Sequence, residues 1–455
     1  TDKHRVTARY SDFRNTNDQL LNATSVPGGG FGPVTRLGNS RFGNNSMGFQ
    51  NSNYAFEDKV RTGTLEINSR FTNTISNQLL ATYTKIKTTR TFDGGVFPTI
   101  DFLNLPSGDT INNQNYMHVG MDPFTNNNDV INDIFSIIDN FTRFAGRHTI
   151  TAGVSYEHQK VGNMFMPGSN SYYIFRSLND FITNQAPAYY AYTYSLIKGE
   201  PQVYPAELKI GQLGIYAQDE FNVTDRIRLI YGLRVDRPIY NEQPIANPAV
   251  EALTFLDEDG QPTNYSTGRW PESKWYWSPR VGVRWDVKGD KTTILRGGTG
   301  IFTGRIPFVW LTNIPTNSAM YQITAAVSDR SQLSNYRFNP DPNAYINTFP
   351  QSAGTTIVRN SNFVFANPDF KFPQVWRSNI AWEQGLGKGL TLMVEALYTK
   401  DLNAVYMRNA NLRNPDTVFT GPDQRPRYTS SSRLNPDIAS AIVLENTSKG
   451  GSLNL

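Results

Sequence analysis

The chain has 455 residues and no cysteine, which excludes disulfides and thiolate metal sites. It has no run of about 18 apolar residues, the length a membrane-crossing helix needs. Its 43 basic and 39 acidic residues give a net charge of +4. They are spread without long runs of either sign, which argues against a nucleic-acid partner. Histidine is scarce: His4, His118, His148 and His158 are the full set, and none has the HExxH spacing of a zinc site. His148 and His158 fall at opposite ends of one segment, too far apart to share a metal, and read as girdle or rim positions. No Gly-x-Ser-x-Gly nucleophile turn occurs. Gly297, Gly298, Gly300 and Gly304 cluster, but no helical pattern follows, so they read as a strand bend rather than a phosphate cradle. Asp257, Asp259 and Gly260 open like a calcium loop without its later ligands and read as an exposed turn. No enzyme activity, metal or cofactor is expected.

What the chain does have is alternation. In Glu207–Arg237, Leu213, Ile215, Ala217, Phe221 and Val223 alternate with Gly214, Tyr216, Gln218, Glu220 and Asn222. After the turn Thr224–Arg226, Ile227, Leu229, Tyr231, Leu233 and Val235 alternate with Arg228, Gly232, Arg234 and Asp236. Period two over two segments joined by a short polar turn predicts an antiparallel hairpin. The pattern recurs in Arg5–Tyr10, Arg61–Phe71, Gln78–Thr91, His148–Gln159, Lys274–Val287, Lys291–Phe302, Gln374–Gly385 and Leu390–Tyr406. Asp133–Phe144 reads as a strand without a clear facing, and a last strand-like run lies near Ile442–Leu444. About twelve strands result.

Their connections alternate between a few residues and tens of residues. That asymmetry is the mark of an outer-membrane barrel with short periplasmic turns and long extracellular loops, and it is unusual for sandwiches. The mean hydropathy of −0.47 is compatible with this, since apolar-out, polar-in strands average to mildly hydrophilic. Trp275 and Trp285 share a parity ten residues apart. At about 3.3 Å per residue and a tilt near 40°, they are roughly 25 Å apart along a barrel axis, the height of the apolar band between aromatic girdles. Trp275, Trp277, Trp285 and Trp376 are therefore the expected girdle, with two core tryptophans of a large soluble sheet as the alternative. Asp219 breaks the apolar parity, through a rim position or a bulge. On the polar parity, Arg228, Arg234, Arg280, Arg284, Arg296 and Arg377 face Glu66, Glu157, Glu220, Glu383 and Glu395. An internal ion-pair lattice is the favoured reading there. The long loops are rich in aromatics. Tyr172, Tyr173, Tyr189, Tyr190, Tyr192 and Tyr194 crowd one, and Phe308, Trp310, Tyr321 and Tyr336 occupy another. Such rings bind flat or amphipathic ligands, or pack loops on one another.

Four stretches resemble one family: GIYAQDEFNVTDRIRLIYGLRVDRP (214–238), WSPRVGVRWDVKGDKTTILRGGTGIFTGRIP (277–307), FKFPQVWRSNIAWEQGLGKGLTLMVEALYTKDLNAV (370–405) and VLENTSKG (443–450). Their order and spacing are similar to the barrel of Oar-like TonB-dependent outer-membrane transporters. The resemblance covers the whole chain and implies an all-β, antiparallel, up-and-down transmembrane barrel. Such barrels resemble 22-stranded walls around a plug. No signal peptide, plug or TonB box is visible in the sequence ahead of the first strand, and GGSLNL lacks the terminal aromatic strand such barrels are expected to have. Residues 1–455 are thus expected to be a partial barrel domain. The resemblance implies nutrient uptake across the outer membrane of a Gram-negative bacterium. Outer-membrane lipid, the protein's own plug and the TonB system would be its partners. A plugless channel or adhesin, and a soluble carbohydrate-binding β module, are the alternatives.

Overall fold

The computed structural model describes residues 3–20, 46–103, 115–204, 206–355, 357 and 361–454. Asn45 and Asn113, at the expected loop tips, lie outside this set. Twelve long strands form one wall. They are β1 (His4–Gln19), β2 (Tyr54–Thr72), β3 (Ile75–Thr91), β4 (Asn128–Ala145), β5 (His148–Phe165), β6 (Ala206–Asn222), β7 (Ile227–Tyr240), β8 (Tyr276–Asp286), β9 (Thr293–Thr303), β10 (Gln374–Gly387), β11 (Leu390–Asn409) and β12 (Ile438–Thr447). Each pairs antiparallel with the next, in chain order. The sheet is open: Ser361–Ala366 adds in parallel beyond β12, and Gly451–Asn454 continues along β11. The strand count and order match the sequence reading. Strand ends do not: β1 runs on to Gln19, and β3 starts at Ile75 rather than Gln78.

Loops decide which parity is the lumen. Leu208 and Ile210 share a parity with Tyr216 and are buried beneath a folded loop. The opposite parity carries Ile215, Tyr231, Leu233, Val281, Val283 and Trp285, all exposed large apolar side chains. Trp275, Trp277, Trp285 and Trp376 belong to this outward set, at 47%, 58%, 41% and 43% exposure. Trp382, on the same parity, is also exposed. Strand β4 now has a facing. Phe135, Ile137 and Phe141 point outward with Tyr83 and Ala81, while Ile138 and Asn140 point inward. Apolar residues on both parities hid this from the sequence.

Asp219 is outward without a bulge, since its pairing with Ile150 and Tyr231 runs unbroken. Tyr231 Oη donates to its Oδ2 at 2.7 Å, and His148 Nδ1 lies 2.6 Å from the same oxygen. His148 stacks on Phe221 with ring centroids 4.1 Å apart. The carboxylate is thus shielded by its neighbours at the periplasmic end.

The inward row Asn140, Gly153, Tyr216, Arg234 and Ser278 crosses five strands. A Cβ on Gly153 would lie 2.5 Å from the Tyr216 ring. The glycine leaves room for that ring to lie on the sheet, the cross-strand aromatic cover that steadies glycine in a strand. Tyr216 donates to Asn140, and the Arg234 guanidinium lies 5.2 Å from its ring centre.

The long loops hold a second sheet of six short strands. Its order is Gln322–Val327, Tyr189–Ser195, Tyr172–Phe175, Thr99–Leu103, Asn115–Val119 and Met47–Gly48. Tyr190 stacks on Tyr336 at 5.0 Å and meets Tyr173 at 4.9 Å. Each such ring pair adds about 0.5–1.5 kcal/mol beyond the area it buries. Burial holds these phenols neutral. It pushes the Tyr192 hydroxyl up to about 12, and those of Tyr173, Tyr189, Tyr190 and Tyr194 further.

Three outcomes follow from this arrangement, all read on the full-length gene product. Val281→Arg puts a charge on the outward face and should cost roughly 2–4 kcal/mol near the bilayer midplane. Arg280→Gln should be tolerated, because Arg280 faces the lumen over the Phe302 ring at 5.0 Å with no ion pair among the described residues. Heat-modifiable gel mobility in lipid across a denaturant series measures both, and equal tolerance at the two sites would overturn the facing. Sidedness is read by labelling: Asp259→Cys should react with an impermeant maleimide on intact cells, and Asp290→Cys only after the membrane is opened. The reverse pattern would invert the topology. Finally, the loop sheet should loosen in alkali. A phenol whose folded pKa is raised stabilises the fold fully below its unfolded value near 10. That stability is lost as pH rises from about 10 through about 12. Absorbance at 295 nm with limited proteolysis should show late tyrosine ionisation coupled to loop cleavage. Normal titration of all tyrosines near 10 would mean that the rings meet water.

Candidate functional site at the barrel mouth

The segment after β9 turns inward. Its helix Phe308–Thr316 places Leu311 and Ile314 on the lumenal side chains Val161, Leu208 and Ile210. Phe370, Phe372 and Trp270 join this apolar cluster, with Tyr276, Ile306, Ala366 and Leu444. Tyr276, the first residue of β8, stacks on Phe372 at 5.9 Å and accepts from its backbone N–H at 3.0 Å. The loop therefore roofs this part of the lumen. Apolar side chains at the outer ends of lumen-facing strands have a use only if something folds onto them, and here that is the roof.

Beneath the roof is a polar cavity of about 290 Å³. Arg234, Arg280 and Arg305 line it with Ser155, Glu157, Tyr216, Asp236, Ser278 and Thr303. Arg305, from the roof, pairs with Glu157 at 2.5 Å, and Arg234 takes Asp236 at 2.7 Å and Ser155 at 3.1 Å. Of these three arginines, Arg280 has no carboxylate within 4 Å among the described residues, nor has Arg237, which also borders the cavity and lies over the Trp275 ring at 5.1 Å. The cavity thus offers a surplus cation, hydroxyls and a tyrosine ring, a surface suited to polar or anionic groups. A second, wider cleft of about 1090 Å³ opens on the loop sheet. Tyr192, Tyr194, Lys198, Glu200, Asn343 and Gln351 border it.

The lattice expected on the lumenal parity forms in part. Arg228 pairs with Glu220, and Arg296 with Glu383 at 2.7 Å and Glu395 at 3.4 Å. Glu66 is instead held by the amides of Asn68 and Gln78, at 2.9 and 3.0 Å. Glu157 finds a loop arginine, a partner 148 residues away that alternation within strands cannot reveal.

The structure places the six loop tyrosines in the second sheet. Tyr172, Tyr173, Tyr189, Tyr190, Tyr192 and Tyr194 are each at most 3% exposed, inside the loop sheet. They pack loops together, and only the borders of Tyr192 and Tyr194 reach the wider cleft. Trp310 is half-buried against the roof cluster. The lumenal cavity residues were missed as a group because they come from five strands and one loop. Their shared inward parity was the available signal. Among the described residues no group of three or more potential metal ligands forms.

Comparison with known proteins places this geometry. No curated protein matches the chain. The outer membrane transporter YddB from Escherichia coli aligns with 100% of this chain and 42% of its own, at 11% identity and a TM-score of 0.52. The FrpB iron transporter from Neisseria meningitidis (F3-3 variant) covers 98% and 45% at 10% identity, with a TM-score of 0.47. The Ferric-Catecholate import receptor Fiu from K12 E. coli covers 94% and 51% at 13% identity, with a TM-score of 0.44. The chain spans about half or less of the length of each. At these identities the likeness is one of fold alone. A family profile described as "Outer membrane beta barrel domain" matches residues 1–452. Carried by that match and by the outward apolar wall, the chain belongs to the outer membrane β-barrel domain family and resides in the outer membrane of Gram-negative bacteria.

Proposed function

We propose that this chain supplies the pore wall and outer loops of a TonB-dependent transporter that takes up a scarce nutrient. The observation that carries the reading is the roofed lumen: a loop packs on lumenal side chains above a polar cavity. A passive pore works by leaving its lumen open, whereas an active transporter holds its ligand under loops until energy arrives. In this reading residues 1–455 are a partial barrel domain that encloses a plug contributed by the rest of the protein. Energy reaches that plug through TonB. Ligands enter over the loop-sheet cleft and pass to the cavity under the roof. There Arg280 and the Arg305–Glu157 pair meet their polar groups. Trp275, Trp277, Trp285 and Trp376 hold the wall at the membrane interfaces, where amphipathic rings settle. The fold of YddB, described as an outer membrane transporter, supports the reading at the level of architecture.

A plugless channel or adhesin is the second reading. Conductance separates the two. In planar bilayers the full-length gene product should be electrically silent, and excising the segment that fills its lumen should open steady conductance. A large constitutive conductance of the intact protein would favour the channel.

A further inference from the structure

The outward face carries a charged belt that neither fold nor transport explains. On β1, β2 and β3 the outward parity is apolar over Val6, Ala8 and Tyr10, Ile67, Leu65 and Gly63, and Leu79, Ala81 and Tyr83. The row through Tyr10, Gly63, Tyr83 and Phe135 is its loop-side border, and its three aromatics are exposed at 71%, 49% and 42%. One step towards the loops the chemistry changes. Asp12, Arg61, Lys85 and Asp133 form one row, and Arg14, Lys59, Lys87 and Ile131 the next.

Arg61 is thus the direct cross-strand partner of Lys85, and Lys59 of Lys87. Like charges directly opposite are destabilising in a sheet. Carboxylates answer part of this. Asp12 takes Arg14 at 3.1 Å and Arg61 at 3.3 Å, Glu57 takes Lys59 at 2.8 Å, and Asp133 lies 3.8 Å from Lys85. Lys87 has no carboxylate within 4 Å among the described residues. The two rows together hold five cations and two carboxylates. The next row outward adds only Glu57 and Asp129 to Thr16 and Thr89. Arg14, Lys59, Arg61 and Lys85 remain 45–64% exposed on their side chains, free to reach a further anion.

Depth selects the anion. An aromatic row marks the border of the hydrocarbon, so a cation block one to two rows beyond it sits among the headgroups of the outer leaflet. Fixed phosphates at that depth complement facing lysines and arginines, and arginine grips them with two parallel hydrogen bonds. We propose that Lys59, Arg61, Lys85 and Lys87 form a binding site for a phosphorylated glycolipid of the outer leaflet.

The test uses the full-length gene product in detergent, offered vesicles of a bisphosphorylated glucosamine-disaccharide lipid, the same lipid without phosphates, or phosphatidylglycerol. Bound lipid is counted by native mass spectrometry after detergent exchange. The bisphosphorylated lipid should be retained and its dephosphorylated form lost. Lys87→Gln should weaken retention roughly fivefold, the share of one cation at a charged lipid surface, and Lys87→Arg should restore it. The combined Lys59→Gln, Arg61→Gln, Lys85→Gln and Lys87→Gln variant should abolish retention while heat-modifiable mobility shows a folded barrel. Should that variant misfold, the Lys87 pair still decides. Unchanged retention in Lys87→Gln would overturn the site. Equal retention of phosphatidylglycerol would overturn its assignment to the outer-leaflet glycolipid. A silent or conducting pore bears on transport alone and leaves this result standing.

Discussion

The structure depends on one constraint: a backbone crossing hydrocarbon has no water to bond its N–H and C=O groups. Each unsatisfied group costs several kcal/mol there, so the peptide must find its partners in neighbouring strands. Twelve antiparallel strands of 10–20 residues satisfy this wherever they pair, and the outer edge of β1 is left without a partner strand among the described residues. Everything else is arranged around that wall. Short turns fit one end because nothing there has to reach out, and long loops gather at the other. The wall's parity rule then sorts the side chains, with rings and branched chains outward and amides, hydroxyls and paired charges inward.

That rule explains why the wall was legible in the sequence and the loops were not. Alternation in segments such as Arg61–Phe71 reports a sheet with two different environments, and such a sheet announces itself. The loop sheet has one environment. Tyr189–Ser195 reads YYAYTYS and Thr99–Leu103 reads TIDFL, buried on both faces, with no polar parity to count. Aromatic density in the loops was visible, but its meaning was ambiguous. Rings that stack on Tyr336 and Phe349, encoded some 150 residues later, look in sequence like rings awaiting a ligand. Pairing partners this remote follow from the fold alone.

The same reasoning covers the charges. The hairpin residues Arg228 and Glu220 share a parity and lie diagonally across the ladder, Arg228 opposite Asn222 and Glu220 opposite Ile230, so their pairing was foreseeable. The Arg305–Glu157 pair was not, because it needs the roof to be in place. That pair and the stacking of Tyr276 on Phe372 tie the roof to the wall through one polar and one aromatic contact. Both ties border the cavity, and the aromatic one also belongs to the apolar cluster. Anything entering the cavity competes with them directly.

Asp219 shows how far a lipid-facing surface tolerates polarity. Its carboxylate stays outward because Tyr231 and His148 answer one oxygen and the Phe221–His148 stack covers the flank. A charge near the interface costs about 0–1 kcal/mol, against roughly 2–4 for a midplane Arg or Lys, and this site lies three residues from the end of β6. The belt of Lys59, Arg61, Lys85 and Lys87 meets the same rule at the opposite end of the strands in a different way. Asp219 is answered by its own neighbours, and the belt only partly so. Opposed lysines short of carboxylates destabilise a sheet, and negative charge in the medium beside them relieves that cost. Self-compensation at one rim and incomplete compensation at the other therefore point to two different surroundings, as an asymmetric membrane provides.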